Sequence, residues 1–244
     1  MTPASIPPAQ RIITALDVET KAQALVLVRQ LNQAGLFKVG LELFTAEGPA
    51  LLQEIQALGK GVFLDLKLHD IPNTVGEAAR IGVRHGARMM TIHTSGGKAM
   101  MARAAETAGE EAAKRGTVRP ILLGVTILTS LQNDDLASVG MTPDTAGQVL
   151  RLAALAKASG LSGVVCSAKE IEIVRNEVGP DFLIVTPGIR PAGADVQDQK
   201  RVMTPSLAVA KGSDYLVIGR PITQAASPAD AFAAIVRELT EAGT

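Results

Sequence analysis

Eight short runs rich in Val, Ile and Leu, most of them followed by a longer stretch of helical periodicity, succeed one another from Arg11 to the C-terminus without a break in composition. The runs lie at 12–16, 36–39, 62–66, 89–93, 121–127, 163–166, 182–185 and 215–218. Helical periodicity occupies 22–33, 49–58, 75–85, 98–114, 145–159, 169–177 and 228–239. Alternation of this kind, at about 30 residues per unit, is what a (β/α)8 TIM barrel requires, and the 244 residues suit one such α/β domain. We expect an N-terminal tail at 1–10 and a single barrel domain at 11–244. A doubly wound open sheet is the alternative, but it needs fewer strands and usually a Gly-rich turn after the first. Here that strand ends Thr14-Ala15-Leu16-Asp17 with no G-x-G-x-x-G behind it.

Lys plus Arg and Asp plus Glu each number 24, so no global field favours nucleic acid, and an anion must be caught by a local cluster. Aromatic residues are 2% with no Trp, which leaves little to stack on bases. Cys166, the one cysteine, can form no intrachain disulfide, and inside Gly163-Val164-Val165-Cys166 it reads as a small core residue. The first ten residues carry three prolines and no signal-peptide pattern, and the apolar runs are too short to span a bilayer. These features predict a cytoplasmic enzyme with a small-molecule ligand, and neither a nucleic-acid nor a membrane partner.

Chemistry in a barrel sits at the C-terminal ends of the strands. Asp17 ends the first run, Lys38 lies in the second, Asp65 and Lys67 close the third, and His93 closes the fourth. Thr129 and Ser130 follow the fifth, Arg190 the seventh and Arg220 the eighth. The densest segment is Phe63-Leu64-Asp65-Leu66-Lys67-Leu68-His69-Asp70-Ile71-Pro72-Asn73-Thr74. Asp65 and Lys67 stand two apart and share a strand face towards the barrel mouth, while Leu64 and Leu66 face the helices. A structural ion pair is the plain reading of that pair. Asp70 is a second acid that requires another cation, which Lys38 on the neighbouring strand can supply.

On these residues the chain resembles the orotidine 5'-phosphate decarboxylase family, in its bacterial type. Asp65, Lys67 and Asp70 meet its D-x-K-x-x-D signature, Asp17 resembles its strand-1 aspartate and Lys38 its strand-2 lysine. Leu128-Thr129-Ser130 is similar to its base-contacting turn, Thr186-Pro187-Gly188-Ile189-Arg190-Pro191 to its strand-7 motif, and Val217-Ile218-Gly219-Arg220-Pro221-Ile222 to its phosphate motif. The resemblance implies decarboxylation of orotidine 5'-monophosphate to UMP in de novo pyrimidine biosynthesis, with no cofactor and no metal. It assigns proton donation at C6 to Lys67, within a charge network with Asp65, Asp70 and Lys38. Substrate binding falls to Asp17, Lys38, Ile71, Thr74, Thr129, Arg190, Gln199, Gly219 and Arg220. It further implies a homodimer in which Asp70 and Ile71 act in trans.

The stretch 190–199 lacks an apolar pattern and reads as a loop and candidate lid. Ser95-Gly96-Gly97-Lys98 is not a P-loop, because Ala follows Lys98 and residue 92 is Ile. His69 and His93 lie near the expected site without zinc spacing, and His85 reads as a helix-end residue. Two other functions share the barrel: a metal-dependent sugar-phosphate decarboxylase or synthase, and a non-catalytic phosphate-ligand binding protein. Lys38 stands where the metal-dependent relatives place an acid, and would repel the ion.

Overall fold

The computed structural model describes residues 6–191 and 203–243. Its strands are β1 (Ile12–Ala15), β2 (Leu36–Gly40), β3 (Gly61–Leu68), β4 (Met89–His93), β5 (Ile121–Val125), β6 (Gly163–Val165), β7 (Leu183–Pro187) and β8 (Tyr215–Ile218). Each pairs in parallel with the next and β8 returns to β1, closing the barrel expected from the sequence. Parallel strands buried on both faces read as near-continuous apolar runs, and this is why they were legible.

Alternation along each strand divides the apolar residues into two cores. Ile13, Leu36, Phe63, Met89, Leu123 and Val217 belong to a small cluster that fills the barrel. Their sequence neighbours Ile12, Phe37, Val62, Leu64, Met90 and Leu216 belong to a larger one shared with the surrounding helices. The same parity turns Lys38 inward, because Phe37 and Val39 on either side of it are fully buried in the outer core.

The helices start and stop where local chemistry dictates. Thr20 and Gln23 form a reciprocal capping box on the helix Lys21–Gln30, and the Asp144 carboxylate accepts from the Gly147 N–H at the start of Thr145–Ala158. Pro72 occupies the first turn of Pro72–Arg84, where its missing N–H costs nothing, and left-handed Gly116 ends Gly97–Arg115. The structure adds short helices that the periodicity did not announce, among them Leu41–Glu47, Asn133–Ser138, Pro205–Ala210 and Arg220–Thr223. Each buries only one or two residues, too few to display an apolar stripe. Among the described residues no helix is long and apolar enough to cross a membrane.

One strand departs from regular pairing. β3 runs on to Leu68 instead of ending at residue 66, and its register with β4 shifts: Leu64 pairs with Met90, but Leu68 pairs with Ile92. Four steps on β3 thus face two on β4, a two-residue bulge that contains Asp65 and Lys67. Within it Lys67 has φ +50°, the one non-glycine at positive φ among the described residues. An L-residue in this region carries a cost of about 1–2 kcal/mol, and such strain persists where surrounding structure fixes it. Because the insertion is even, the faces are conserved: Leu64, Leu66 and Leu68 all pack on the outer core.

The strain yields a stability prediction. Lys67→Gly and Lys67→Ala both lose the ammonium, but only glycine accepts φ +50° without penalty. Lys67→Gly should unfold at higher urea, by about 1 kcal/mol over Lys67→Ala after its extra chain entropy is subtracted. Equal stability, or a more stable alanine variant, would remove strain at this position.

Candidate active site

Asp65 lies at the centre of a ring of donors, although it is only 8% exposed. Its Oδ1 accepts from Lys67 Nζ at 3.0 Å and from the Thr91 hydroxyl at 2.9 Å, and its Oδ2 accepts from Lys67 Nζ at 3.1 Å. Lys38 Nζ stands 3.7 Å from Oδ2 and donates to Asp17 Oδ1 at 3.0 Å. The order Asp17–Lys38–Asp65–Lys67 therefore alternates acid and base across β3, β2 and the end of β1. Two carboxylates and two ammonium groups offset one another, which limits the desolvation cost of placing four charges together. Asp17 is the solvent end of the array, with 57% of its side chain exposed.

Close packing shapes the same region. A Cβ at Gly40, two residues beyond Lys38 on β2, would lie 3.0 Å from Lys38 Nζ, so glycine here leaves the ammonium its space. A Cβ at Gly219 would lie 3.4 Å from Asp17 Oδ2, which brings the end of β8 against the array. Arg220 follows directly and opens the helix Arg220–Thr223. Arg190 follows β7 and is buried, with its backbone N–H donating to Met203 O at 3.1 Å. Lys38, Asp65, Lys67, Asp17, Gly219, Arg220 and Arg190 thus all mark the C-terminal rim of the barrel, where eight parallel strands direct their loops.

Other expected residues lie further out. Asp70, Ile71 and Thr74 are all exposed, and Ile71 presents 67% of its surface to solvent at the start of Pro72–Arg84. The Asp70 carboxylate accepts from the Ile71 N–H at 2.6 Å. Among the described residues Asp70 forms no ion pair within the chain, which corrects the expectation that Lys38 would supply its cation; Lys38 is taken by Asp17 and Asp65. Thr129 and Ser130 are exposed in the turn after β5. Gln199, and most of the 190–199 stretch read as a lid, lie outside the described residues.

Four neighbours escaped the sequence reading in whole or in part. Thr91 on β4 accepts from the Lys67 N–H at 2.9 Å as well as donating to Asp65. Gly40 was not singled out. His69 and His93 had been placed near the site, and the structure pairs them with ring centroids 5.6 Å apart. Burial holds the His93 imidazole below its ordinary pKa, helped by His69 and by the Lys67 ammonium, while Asp65 opposes the shift. Strand parity was the available signal: Met89, Thr91 and His93 alternate with the outer-core residues Met90 and Ile92. Cys166 is buried in the outer core, and burial pushes its thiol up, away from reactivity. Among the described residues there is no group of three or more His, Cys, Asp or Glu arranged to hold a metal ion.

Comparison with known proteins meets this geometry from another side. The model of the orotidine 5'-phosphate decarboxylase / HUMPS family matches residues 10–235. The chain belongs to this family. Orotidine 5'-phosphate decarboxylase of Vibrio atlanticus is 51% identical over 228 residues, covering 93% of this chain and 96% of that protein. The enzyme of that name from Paramagnetospirillum magneticum is 51% identical over 229 residues, covering 93% and 97%. The crystal structure of orotidine 5'-phosphate decarboxylase from Lactobacillus acidophilus superposes with a TM-score of 0.84 at 38% identity, covering 94% of this chain and 99% of that one. Family membership and the barrel both agree with the resemblance drawn from Asp17, Lys38 and the D-x-K-x-x-D signature.

Proposed function

We propose that this chain decarboxylates orotidine 5'-monophosphate to UMP and CO2 in pyrimidine biosynthesis, using the charge array alone. The observation that carries the reading is the run Asp17–Lys38–Asp65–Lys67, held by contacts of 3.0 to 3.7 Å. Its relatives, named as orotidine 5'-phosphate decarboxylases, support the substrate.

The chemistry calls for such an array. When the bond from C6 to the carboxylate breaks, the electron pair stays on C6 in an orbital that the ring does not delocalise. A fixed ammonium beside C6 lowers the energy of that charge and then transfers a proton to it, and Lys67 is the group we assign to both tasks. Nζ gives up the proton to C6 and takes another from solvent, so the enzyme returns to its starting state. Asp65, beside the substrate carboxylate, raises the energy of the bound substrate by repulsion that departs with CO2. Lys38 and Asp17 bind the ribose hydroxyls, and Thr129 the base. Arg190, Gln199, Gly219 and Arg220 hold the phosphate, where Arg220 offers a planar fork of donors and Gly219 permits close backbone approach.

Asp70 and Ile71 complete a neighbouring site in a homodimer, and Thr74 contributes to substrate binding. The support for the shared site lies in placement: a carboxylate that is exposed and has no ion-pair partner among the described residues, beside an isoleucine two-thirds exposed, suits a contact made by a second copy. The metal-dependent alternative is disfavoured by Lys38, whose ammonium lies 3.7 Å from Asp65 and would compete with any divalent ion there.

Ultraviolet absorbance of the orotate ring gives the direct assay. Purified protein should consume orotidine 5'-monophosphate equally with and without chelator, and Lys67→Ala should lower turnover about 10³-fold or more. Chelator-sensitive turnover, or an unimpaired Lys67→Ala enzyme, would refute the reading. Sharing of sites can be tested by mixing Lys67→Ala with Asp70→Ala, each inactive alone. Random reassortment leaves one intact site in each heterodimer and should restore about a quarter of wild-type activity. No recovery in verified heterodimers would place Asp70 in its own subunit's site.

A further inference from the structure

We infer that Thr91 is a positioning residue, whose hydroxyl sets the geometry between the backbone of Lys67 and the carboxylate of Asp65. The bulge in β3 makes this necessary. Where register jumps from Leu64–Met90 to Leu68–Ile92, the Lys67 N–H has no ladder partner on β4. The Thr91 Oγ1 takes its place, accepting that N–H at 2.9 Å. A hydroxyl has one proton to donate, and this one goes to Asp65 Oδ1 at 2.9 Å. Thr91 itself is 1% exposed, and its bond to Asp65 is buried.

The relay N–H to hydroxyl to carboxylate has two effects. It fixes the backbone of Lys67 at φ +50°, which aims the side chain back over Asp65. It also fixes the rotation of the Asp65 carboxylate, because Oδ1 receives Thr91 while Oδ2 is left to face Lys38 at 3.7 Å. Without the hydroxyl, a partly buried N–H and a buried carboxylate lone pair lose their partner together, and the spacing of Lys67 from Lys38 is no longer enforced. The groups assigned to ribose and phosphate come from other strands, so Thr91 bears on the chemical step and not on capture of the substrate.

This inference deepens the decarboxylase reading and rests on it for its kinetic part. The test compares wild type, Thr91→Val and Thr91→Ser for turnover of orotidine 5'-monophosphate, together with the ¹⁵N–¹H resonance of the Lys67 amide without substrate. Thr91→Val should lower kcat about tenfold to a hundredfold with little change in KM, and move the Lys67 amide resonance. Thr91→Ser, which keeps the hydroxyl, should retain both near wild type. Thr107→Val serves as control, since that buried hydroxyl donates only to backbone oxygens such as Gly76 O at 2.8 Å; it should lose stability and keep kcat. An unchanged kcat in Thr91→Val, or an equal fall in Thr91→Ser, would overturn the role. If Thr91→Val fails to fold, Thr91→Ala against Thr91→Ser isolates the hydroxyl on a common side-chain size, and equal kcat in the two overturns it. If wild type shows no turnover, the decarboxylase reading fails, and the amide resonance decides the placement of Thr91 alone.

Discussion

The charge array at the rim of this barrel is arranged around one buried carboxylate. Asp65 sits at 8% exposure on the inner face of β3, where an uncompensated charge would cost several kcal/mol. Lys67 and Thr91 close on it directly, and Lys38 approaches from β2. That demand explains features that otherwise look unrelated: the bulge, the positive φ at Lys67, the missing side chain at Gly40. Each serves to bring a donor to Asp65 or to leave a donor room. The apolar packing beneath, from Phe63, Leu36 and Ile13, holds the strands that carry these groups.

The contacts within the chain orient the four charges against one another. In catalysis that matters more than the number of contacts, because dipoles and charges already oriented need no reorganisation when charge develops. Lys67 has little freedom, with its backbone N–H held by Thr91 and its ammonium bidentate on Asp65. The dimer contact proposed for Asp70 and Ile71 would add a third acid to this set from outside the chain, which links assembly to the completeness of the site.

Much of this could be read in the sequence, and the reasons are specific. Strands buried on both faces appear as aliphatic runs, so all eight were visible. The spacing of Asp65 and Lys67 put them on one face, and that held although the strand bulges between Leu64 and Leu68, because an even insertion preserves parity. The bulge itself left no mark, since Leu66 and Leu68 continue the apolar alternation through it. Thr91 was hidden for the opposite reason: a β-branched residue inside Met89–His93 is ordinary strand material, and only its partners distinguish it. Asp70 was expected to find its cation in Lys38, and that pairing is not made: Lys38 goes to Asp17 and Asp65, and spacing along the chain does not say which of several acids a lysine on the next strand will meet.

The central claim is that the Lys67 ammonium faces C6 of the pyrimidine and carries the proton there. Microscopic reversibility requires the same group to remove that proton from product, so the most direct measurement is exchange of the C6 hydrogen of UMP for deuterium in D2O, followed by NMR. The account predicts exchange catalysed by wild type and abolished in Lys67→Ala. Exchange that persists undiminished without Lys67 would contradict it, and would assign the proton to another group.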